Sequence, residues 1–329
     1  EELHGKELPE QLLDFYFCVR DFLNIDELLD ENYVIYTEIG TQGKVILRLF
    51  CVNPAANIGR CLEKGKSAVF FSATLLPMDY YRTLLSTRKD DYGIYVPSPF
   101  KHEKRCILTG RDVSSRYTRR GYEEYHKIAS YIARTVWARK GNYMVFFPSY
   151  KMLEEVYAVY EEEFSVNWVK CICQNNSMKE QEREEFLQEF EQDQEALVAF
   201  CIMGGIFSEG IDLLGEKLIG AILVGTGLPQ LGNEREILRS FYTENGENGF
   251  DYAYRYPGMN KVLQAAGRVI RTREDHGVIL LLDERFRQRE YSNLFPVEWN
   301  DRKTCTLSNV EAQLQKFWES IPDKISHKL

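Results

Sequence analysis

The chain has 329 residues, of which 44% are hydrophobic, and a formal net charge of −9 at pH 7. This length allows a substantial core in one large domain or two smaller ones. The negative charge argues against a generally basic nucleic-acid-binding surface, although it allows a local basic groove. No apolar run approaches the ~20 residues of a membrane span, and the first residues lack the pattern of a secretory signal. We therefore expect a cytoplasmic protein with no membrane partner.

The eight cysteines lie mostly within apolar, strand-like runs such as ILRLFC and LVAFC. No CxxC pair and no Cys/His spacing indicates a metal site. We therefore predict buried, reduced thiols and no metal bound by these residues.

The first hundred residues predict a helix, a hairpin and a short strand. Apolar residues at helical spacing indicate an amphipathic helix over residues 1–30 that ends near Asn24. Two strand-like runs, Tyr33–Tyr36 and Val45–Val52, are bridged by the turn-rich sequence GTQG. The apolar run SAVFFS at 67–72 predicts a further strand.

Small hydroxyl residues stand where that last strand ends. Ser72 and Thr74 suit a position at which the backbone closely approaches other groups. Alternatively, they cap the start of the helix that follows Pro77. Farther along, Pro97 and Pro99 keep the backbone extended, and we place a hinge and domain boundary there.

From Cys106 to Asp283, predicted strands alternate with predicted helices. The strands are Cys106–Leu108, Asn142–Phe147, Val166–Cys173, Leu197–Ile202, Leu218–Val224 and the run GVILLLD that begins at Gly277. The helices are Arg119–Arg139, Tyr150–Glu163 and one that begins with a Ser177/Glu180 capping box and ends at Gln192. This alternation predicts an α/β fold in which helices cover both faces of a parallel sheet. Such sheets bind ligands at the carboxyl ends of their strands.

Pro148 and Ser149 end one of these strands, and the next helix begins at Tyr150. A helix start at this edge presents free backbone N–H groups and the positive end of a dipole, which suits a phosphate. Ser149 is therefore predicted to contact a nucleic-acid phosphate. It also suits a plain helix cap, and the two roles can coexist.

The glycine-rich sequence GGIFSEGID follows the strand Leu197–Ile202. Its glycines allow a tight turn and close approach to a ligand. Ser208, Glu209 and Asp212 supply polar groups in an otherwise apolar setting. The alternative is a surface loop with ordinary acidic caps.

Two further segments are rich in aromatic or basic residues. Aromatic residues crowd the segment from Phe241 to Tyr256; they suit stacking on unpaired bases, although packing against the domain surface is their commoner use. The densest positive stretch runs from Arg105 to Arg120.

The sequence QAAGRVIRTREDHGVILLLDERF begins at Gln264 and carries the most specific pattern. Apolar spacing predicts a helix over Met259–Arg271, so that Gln264, Arg268 and Arg271 project from one face. Two planar guanidinium groups one helical turn apart suit a transferring phosphoryl group. The alternative is a surface helix whose arginines pair with nearby carboxylates, namely Glu274, Asp275 or Asp283.

This sequence resembles motif VI of superfamily 2 helicases in the form carried by the XPD and DinG branch. Three more stretches match that branch in the expected order: SATL at 72–75, FFPSY at 146–150 and GGIFSEGIDLLG at 204–215. The resemblance implies a RecA-like second motor domain over residues 101–329. It implies a motif III segment and hinge over 67–100, and the end of an Arch-like insertion returning into the first motor domain over 1–66.

The resemblance also assigns roles to individual residues. It implies that Arg268 and Arg271 are arginine fingers for the γ-phosphate of ATP and that Gln264 orients the site. It implies nucleotide contacts at Glu209, Gly210 and Asp212. The nucleic-acid contacts it implies are Ser72, Thr74, Ser149, Tyr150 and Ser208.

The sequence contains no GxxxxGK[ST] phosphate loop and no Asp-Glu pair after an apolar strand. We therefore expect the C-terminal part of a longer DNA helicase that is inactive alone. Its upstream motor domain would complete the site for ATP and Mg²⁺, and the whole would travel 5′ to 3′ on single-stranded DNA. The iron–sulfur cluster that some members carry would lie upstream. The competing hypothesis is a non-catalytic, RecA-like module that binds single-stranded nucleic acid.

Overall fold

The continuous apolar runs of the sequence form the buried strands of one large sheet. The computed structural model describes residues 10–88, 90–208 and 211–321. Within them the helices are α1 Glu10–Asp26, α2 Ala55–Leu62, α3 Met78–Leu85, α4 Tyr122–Ala138, α5 Tyr150–Glu163, α6 Glu180–Gln188, α7 Asn233–Glu244, α8 Tyr256–Ala266, α9 Arg289–Ser292 and α10 Val310–Glu319. The strands are β1 Tyr33–Ile39, β2 Val45–Cys51, β3 Arg105–Gly110, β4 Asn142–Phe147, β5 Val169–Cys173, β6 Ala196–Ile202, β7 Gly220–Val224, β8 Gly277–Leu282 and β9 Lys303–Cys305.

Seven strands form a sheet in the order β5-β6-β4-β7-β8-β3-β9. Every pairing in it is parallel. Helices connect most of the strands, as crossover connections between parallel strands require. The predicted α/β fold with a parallel sheet is therefore confirmed.

Both faces of the sheet are covered. Alternate residues of a strand point to opposite faces, and in β4 Tyr143, Val145 and Phe147 join the core beneath α4, α5 and α10. Met144 and Phe146 face the other way and are equally buried. All seven strands run in the same direction, so the ends of β4 and β6, which lead to Ser149 and to the glycine-rich segment, lie at one edge of the sheet.

The chain divides into two compact units. The larger consists of residues 94–231 and 250–329 and contains the seven-stranded sheet. The smaller consists of residues 1–93 and 232–249, and β1 and β2 pair there as the predicted antiparallel hairpin. Helix α1 buries none of its residues. The sequence patterns did not separate residues 232–249 from the sheet domain.

Two local predictions are wrong. SAVFFS does not form a strand, and Val69 and Phe71 are 82% and 89% exposed. No strand among the described residues pairs with it, and a lone strand cannot satisfy its backbone groups. Ser177 does not cap α6, because its N–H and hydroxyl donate to Asn175. The helix begins at Glu180, and the carboxylate of Glu182 accepts from the N–H of Lys179 instead.

The remaining expectations about burial are partly met. Cys106, Cys201 and Cys305 are buried free thiols, whereas Cys18 and Cys61 are exposed. In the aromatic segment 241–256, Tyr242, Tyr252 and Tyr254 are 3%, 6% and 2% exposed, so these rings pack in the protein. Their burial supports the packing alternative over base stacking. Across the described ranges, no helix combines the length and apolar character that crossing a bilayer requires.

Candidate functional site

The segment that contains Arg268 and Arg271 leaves helix α8 earlier than the sequence predicts. Helix α8 begins at Tyr256 with Pro257 in its first turn, and it ends at Ala266 rather than at Arg271. Gly267, a poor helix former, follows. Residues 268 and 269 then bond to carbonyls three residues back, at 3.3 Å each, which tightens the turn. The predicted array of Gln264, Arg268 and Arg271 on one helical face is therefore wrong.

Helix α8 ends early because the turn that follows it packs against the next strand, β8. Val269 is 1% exposed and lies against Gly277, the first residue of β8. A Cβ at Gly277 would sit 2.2 Å from the side chain of Val269. The chain therefore leaves the helix so that β8 can enter the sheet beside β7, and burial in the sheet overrides the local helical pattern.

Arg268 joins the arginine segment to the glycine-rich segment after β6. Its Nε donates to the carbonyl of Ser208 at 3.0 Å, and its Nη1 donates to the carbonyl of Ile211 at 2.8 Å. Ser208 is fully buried, and its hydroxyl donates to the carbonyl of Gly205 at 2.7 Å. Arg268 thus holds the backbone on both sides of residues 209 and 210. Glu209 and Gly210 themselves lie outside the described residues.

Arg271 contacts the same segment through its side chain. Its Nη2 donates to a carboxylate oxygen of Asp212, and the two side chains are 37% and 67% exposed. Of the three alternative partners expected from the sequence, Asp283 pairs with Arg285, Asp275 accepts from the backbone N–H of Arg271, and Glu274 forms no ion pair among the described residues. The two predicted arginines and Asp212 are therefore brought together, with solvent access at Arg271.

Asp275 fixes the turn that carries Arg271. Its carboxylate accepts from the N–H groups of Arg271 and Thr272 at 2.8 and 2.7 Å, from the Thr272 hydroxyl at 2.7 Å and from the Gly215 N–H at 3.3 Å. Burial alone would raise the pKa of Asp275, but these hydrogen bonds outweigh it and lower the pKa. No sequence pattern indicates this role, because the carboxylate acts mainly on backbone groups.

Gln264 lies half-buried on α8. Ser72 and Thr74 belong to the smaller unit, where their hydroxyls lie 3.3 Å apart and the Thr74 N–H donates to Ser72 at 3.2 Å. The site roles assigned to these three residues stay predictions.

Ser149 caps α5, as the sequence indicates. Its hydroxyl accepts from the N–H of Met152 at 3.4 Å. Tyr150 is oriented by Gln174, which donates to its hydroxyl at 3.0 Å and is itself 5% exposed. Burial raises the pKa of Tyr150, so it stays a neutral hydrogen-bonding phenol. The N-terminus of α5 is thereby presented at the sheet edge by a fixed pair of polar side chains.

A buried charged network lies at the ends of β8 and β3, and no sequence pattern predicted it. Asp283 is fully buried and accepts from Ser115 N–H and hydroxyl at 2.9 and 2.7 Å. Arg285 donates to both of its oxygens at 2.8 Å. Burial alone would raise the pKa of Asp283, but Arg285 and Ser115 lower it. Gly225, with a φ of +84°, permits this packing, because a Cβ there would lie 2.4 Å from the Ser115 hydroxyl.

No metal-ligating group of three or more His, Cys, Asp or Glu side chains occurs in the part of the chain that the structure describes. The polar groups that the structure brings together at the site are guanidinium, carboxylate, hydroxyl and backbone groups. Such a set suits phosphate groups.

Comparison with known proteins identifies the family of the chain. The family model described as the helicase C-terminal domain matches residues 132–302. The chain is 25% identical over 304 residues to a regulator of telomere elongation helicase 1 homolog of Drosophila melanogaster, covering 84% of this chain and 30% of the relative. It is 25% identical over 300 residues to a probable ATP-dependent helicase of Methanocaldococcus jannaschii, covering 86% and 43%. The chain thus spans less than half the length of these relatives.

Solved structures show the same fold. An XPD helicase structure superposes with a TM-score of 0.61 at 18% identity, covering 92% of this chain and 57% of that one. A structure of Xpd4 from S. tokodaii gives a TM-score of 0.52 at 17% identity, covering 93% and 61%. The RecA-like fold and the resemblance inferred from four ordered motifs are thereby confirmed. The chain belongs to the helicase C-terminal domain family.

Proposed function

We propose that this chain is the C-terminal part of an ATP-dependent DNA helicase that couples ATP hydrolysis to 5′–3′ movement on single-stranded DNA. The upstream motor domain of the same polypeptide supplies the phosphate loop and the Mg²⁺ ligands that this sequence lacks. An iron–sulfur cluster, if the protein carries one, belongs to that upstream part. This chain alone does not hydrolyse ATP in this proposal.

The proposal rests on the contacts that join the turn after α8 to the segment after β6. Arg268 binds the backbone carbonyls of Ser208 and Ile211, and Arg271 pairs with Asp212. A change at either segment is therefore transmitted to the other through guanidinium contacts. Coupling between a nucleotide and a nucleic-acid strand needs such a physical link.

The exposures of the two arginines support different roles. Arg271 retains 37% exposure of its side chain and faces an exposed carboxylate, so its guanidinium can exchange Asp212 for the γ-phosphate of ATP. The contacts of Arg268 instead hold the loop in place. We therefore assign Arg271 as the arginine finger and Arg268 as a positioning residue that also lies at the nucleotide side. Gln264, Glu209 and Gly210 complete the proposed nucleotide contacts.

The proposed path of the single strand follows the carboxyl edge of the sheet. The cap of α5 at Ser149 and the oriented phenol of Tyr150 offer hydrogen bonds to a backbone phosphate. Ser208 contributes only if its loop rearranges, because its hydroxyl is buried and bonded to Gly205. Ser72 and Thr74 are the contacts proposed for the smaller unit.

The test compares ATP hydrolysis, with and without single-stranded DNA, by this chain and by the full-length polypeptide that contains it. The proposal expects no turnover by the chain and DNA-stimulated turnover by the full-length protein. Single-strand binding with no turnover in the full-length protein would contradict it. That outcome would favour the non-catalytic binding module.

A further inference from the structure

A second cluster of arginines lies at the carboxyl edge of the sheet, where β3 and β8 end. Arg111 follows β3, Arg116 lies in the loop beyond it, and Arg287 and Gln288 follow β8. Together with Glu284 they line one open cavity of about 490 Å³, which we call the arginine cleft. It contains three guanidinium groups and one carboxylate. The cleft is therefore positive within a chain whose net charge is −9.

The carboxylate of Glu284 does not neutralise the cleft. It is shared between Arg116 and Arg119, at 3.6 Å from each. Arg111 and Arg287 are exposed, and neither side chain forms a hydrogen bond or ion pair with any residue that the structure describes. Two guanidinium groups thus retain their donors for an anion from solution.

The cleft is built on fixed backbone. Asp283 ties Ser115 to Arg285 across the ends of the two strands, and the N–H of Glu284 donates to the carbonyl of Val113 at 2.9 Å. The N–H of Arg111 donates to the carbonyl of Cys305 at 3.1 Å. The network therefore holds both arginine-bearing loops next to each other, which lowers the cost of ordering a ligand between them.

The position relative to Ser149 identifies the ligand. The strands β4, β7, β8 and β3 are consecutive neighbours, and their carboxyl ends carry Ser149 at one side and the cleft at the other. Three strand spacings are roughly 14 Å. A polyanion that contacts the α5 N-terminus therefore reaches the cleft along the same edge. Planar guanidiniums match the geometry of phosphodiester oxygens and carry no base specificity.

We propose that the arginine cleft binds a backbone phosphate of the single strand, so that the strand extends past Ser149 toward the β3 side of the sheet. This proposal rests on the proposed function, because it requires single-strand binding at this edge. It assigns to Arg111 and Arg287 a role that is independent of ATP.

The test measures binding of a fluorescent oligo(dT) by the full-length protein at several salt concentrations. The double variant Arg111→Gln/Arg287→Gln should bind about tenfold more weakly at low salt. Its plot of log affinity against log salt should be less steep by about 0.7 for each phosphate that the variant no longer neutralises. A mixed-sequence strand should show the same weakening.

Two further variants serve as controls. Arg111→Lys/Arg287→Lys should retain most of the slope, since it keeps the charge. Arg183→Gln, which removes a partly exposed arginine of α6, is the control for the loss of a positive charge outside the cleft; it lowers the net charge by one, whereas the double Gln variant lowers it by two. Thermal midpoints equal to that of the wild type in both double variants show that folding is not the cause.

The outcomes separate the two proposals. If the wild type binds the strand tightly and the salt slope is unchanged in the Gln variant, the arginine cleft does not bind the strand. That outcome would leave the proposed function intact. No strand binding by the wild type would overturn both. Competition by inorganic phosphate that depends on Arg111 and Arg287, without any change in strand affinity, would identify the cleft as a site for a free anion and overturn the strand-phosphate assignment.

Discussion

Arg271 and Asp212 form an ion pair that joins the turn after α8 to the segment after β6, although 59 residues separate them in sequence. Arg268 reinforces the junction through two backbone carbonyls of that segment. The two motifs therefore form one structural unit, which includes the turn that leads into the amino end of β8. Substitutions in these two motifs and at neighbouring residues distinguish the side chains that hold the motifs together from the side chains that bind ligands.

Replacing Asp212 with Asn should lower ATP turnover by the full-length protein without unfolding it. Both side chains of the pair are more than one third exposed, so the pair contributes no more than about 1 kcal/mol to stability. The measurement is turnover together with the urea midpoint. A fall in the midpoint large enough to account for the reduced turnover would show that the pair is structural. Glu216→Gln, at an exposed carboxylate four residues along the chain, is the control.

Replacing Asp275 with Asn should destabilise the protein by about 2–3 kcal/mol, because the charged acceptor of several N–H and O–H donors is removed from a buried turn. Urea denaturation measures the change. Glu274→Gln, one residue away and exposed, should change stability by less than about 0.5 kcal/mol. Equal effects of the two substitutions would contradict the role given to Asp275.

The buried Asp283–Arg285 pair should make stability depend on pH in the acid range. The folded pKa of Asp283 is lowered, so its contribution is complete above the unfolded pKa of about 3.9 and is lost as the pH falls through the lower folded pKa. Asp283→Asn should cost about 3–5 kcal/mol near neutral pH, since it leaves a buried guanidinium unpaired.

The free energy of unfolding, measured from pH 6 down to pH 3, tests this pH dependence. The difference between wild type and Asp283→Asn should shrink toward the acid end. A difference that stays constant with pH would mean that Asp283 acts through packing rather than through its charge.

Two substitutions at Ser149 separate its cap from its proposed phosphate contact. Ser149→Ala should remove the cap, at a cost of about 1 kcal/mol, and weaken single-strand binding whatever the sequence of the strand. Ser149→Asp should keep the cap but repel a phosphate, so it should weaken binding further while restoring stability. Unchanged strand affinity in the Asp variant would leave Ser149 as a cap only.

Sequence patterns predicted the sheet well because its strands are buried on both faces. Runs such as NYMVFF at β4 and GVILLL at β8 are continuous, and their bounds agree with the structure to within a residue. The pattern failed at SAVFFS, which has the composition of a strand but no pairing partner among the described residues. Strand formation depends on a neighbour, and one segment does not encode it.

The sequence named Arg268, Arg271 and Asp212, which the structure brings together, but it did not predict their geometry, and the roles given to them stay predictions. Gly267 is a local stop signal, but the apolar period continues past it through Val269, so the pattern predicted a longer helix than the one that ends at Ala266. Helix α8 ends at Ala266 because Val269 packs on Gly277, and this is a tertiary contact. Ser115 and Asp283 lie 168 residues apart, and no local period relates them. Networks of this kind become visible only when the strand order is known.

The most direct test of the central claim is single-strand-stimulated ATP hydrolysis by the full-length protein carrying Arg271→Ala. Arg273→Ala is the matched control, because it removes an exposed arginine from the same turn. We predict a fall in turnover of about 10³-fold or more for Arg271→Ala, with nearly unchanged DNA affinity and wild-type turnover in the control. Wild-type turnover in Arg271→Ala, or an equal fall in both variants, would contradict the assignment of Arg271 as the arginine finger.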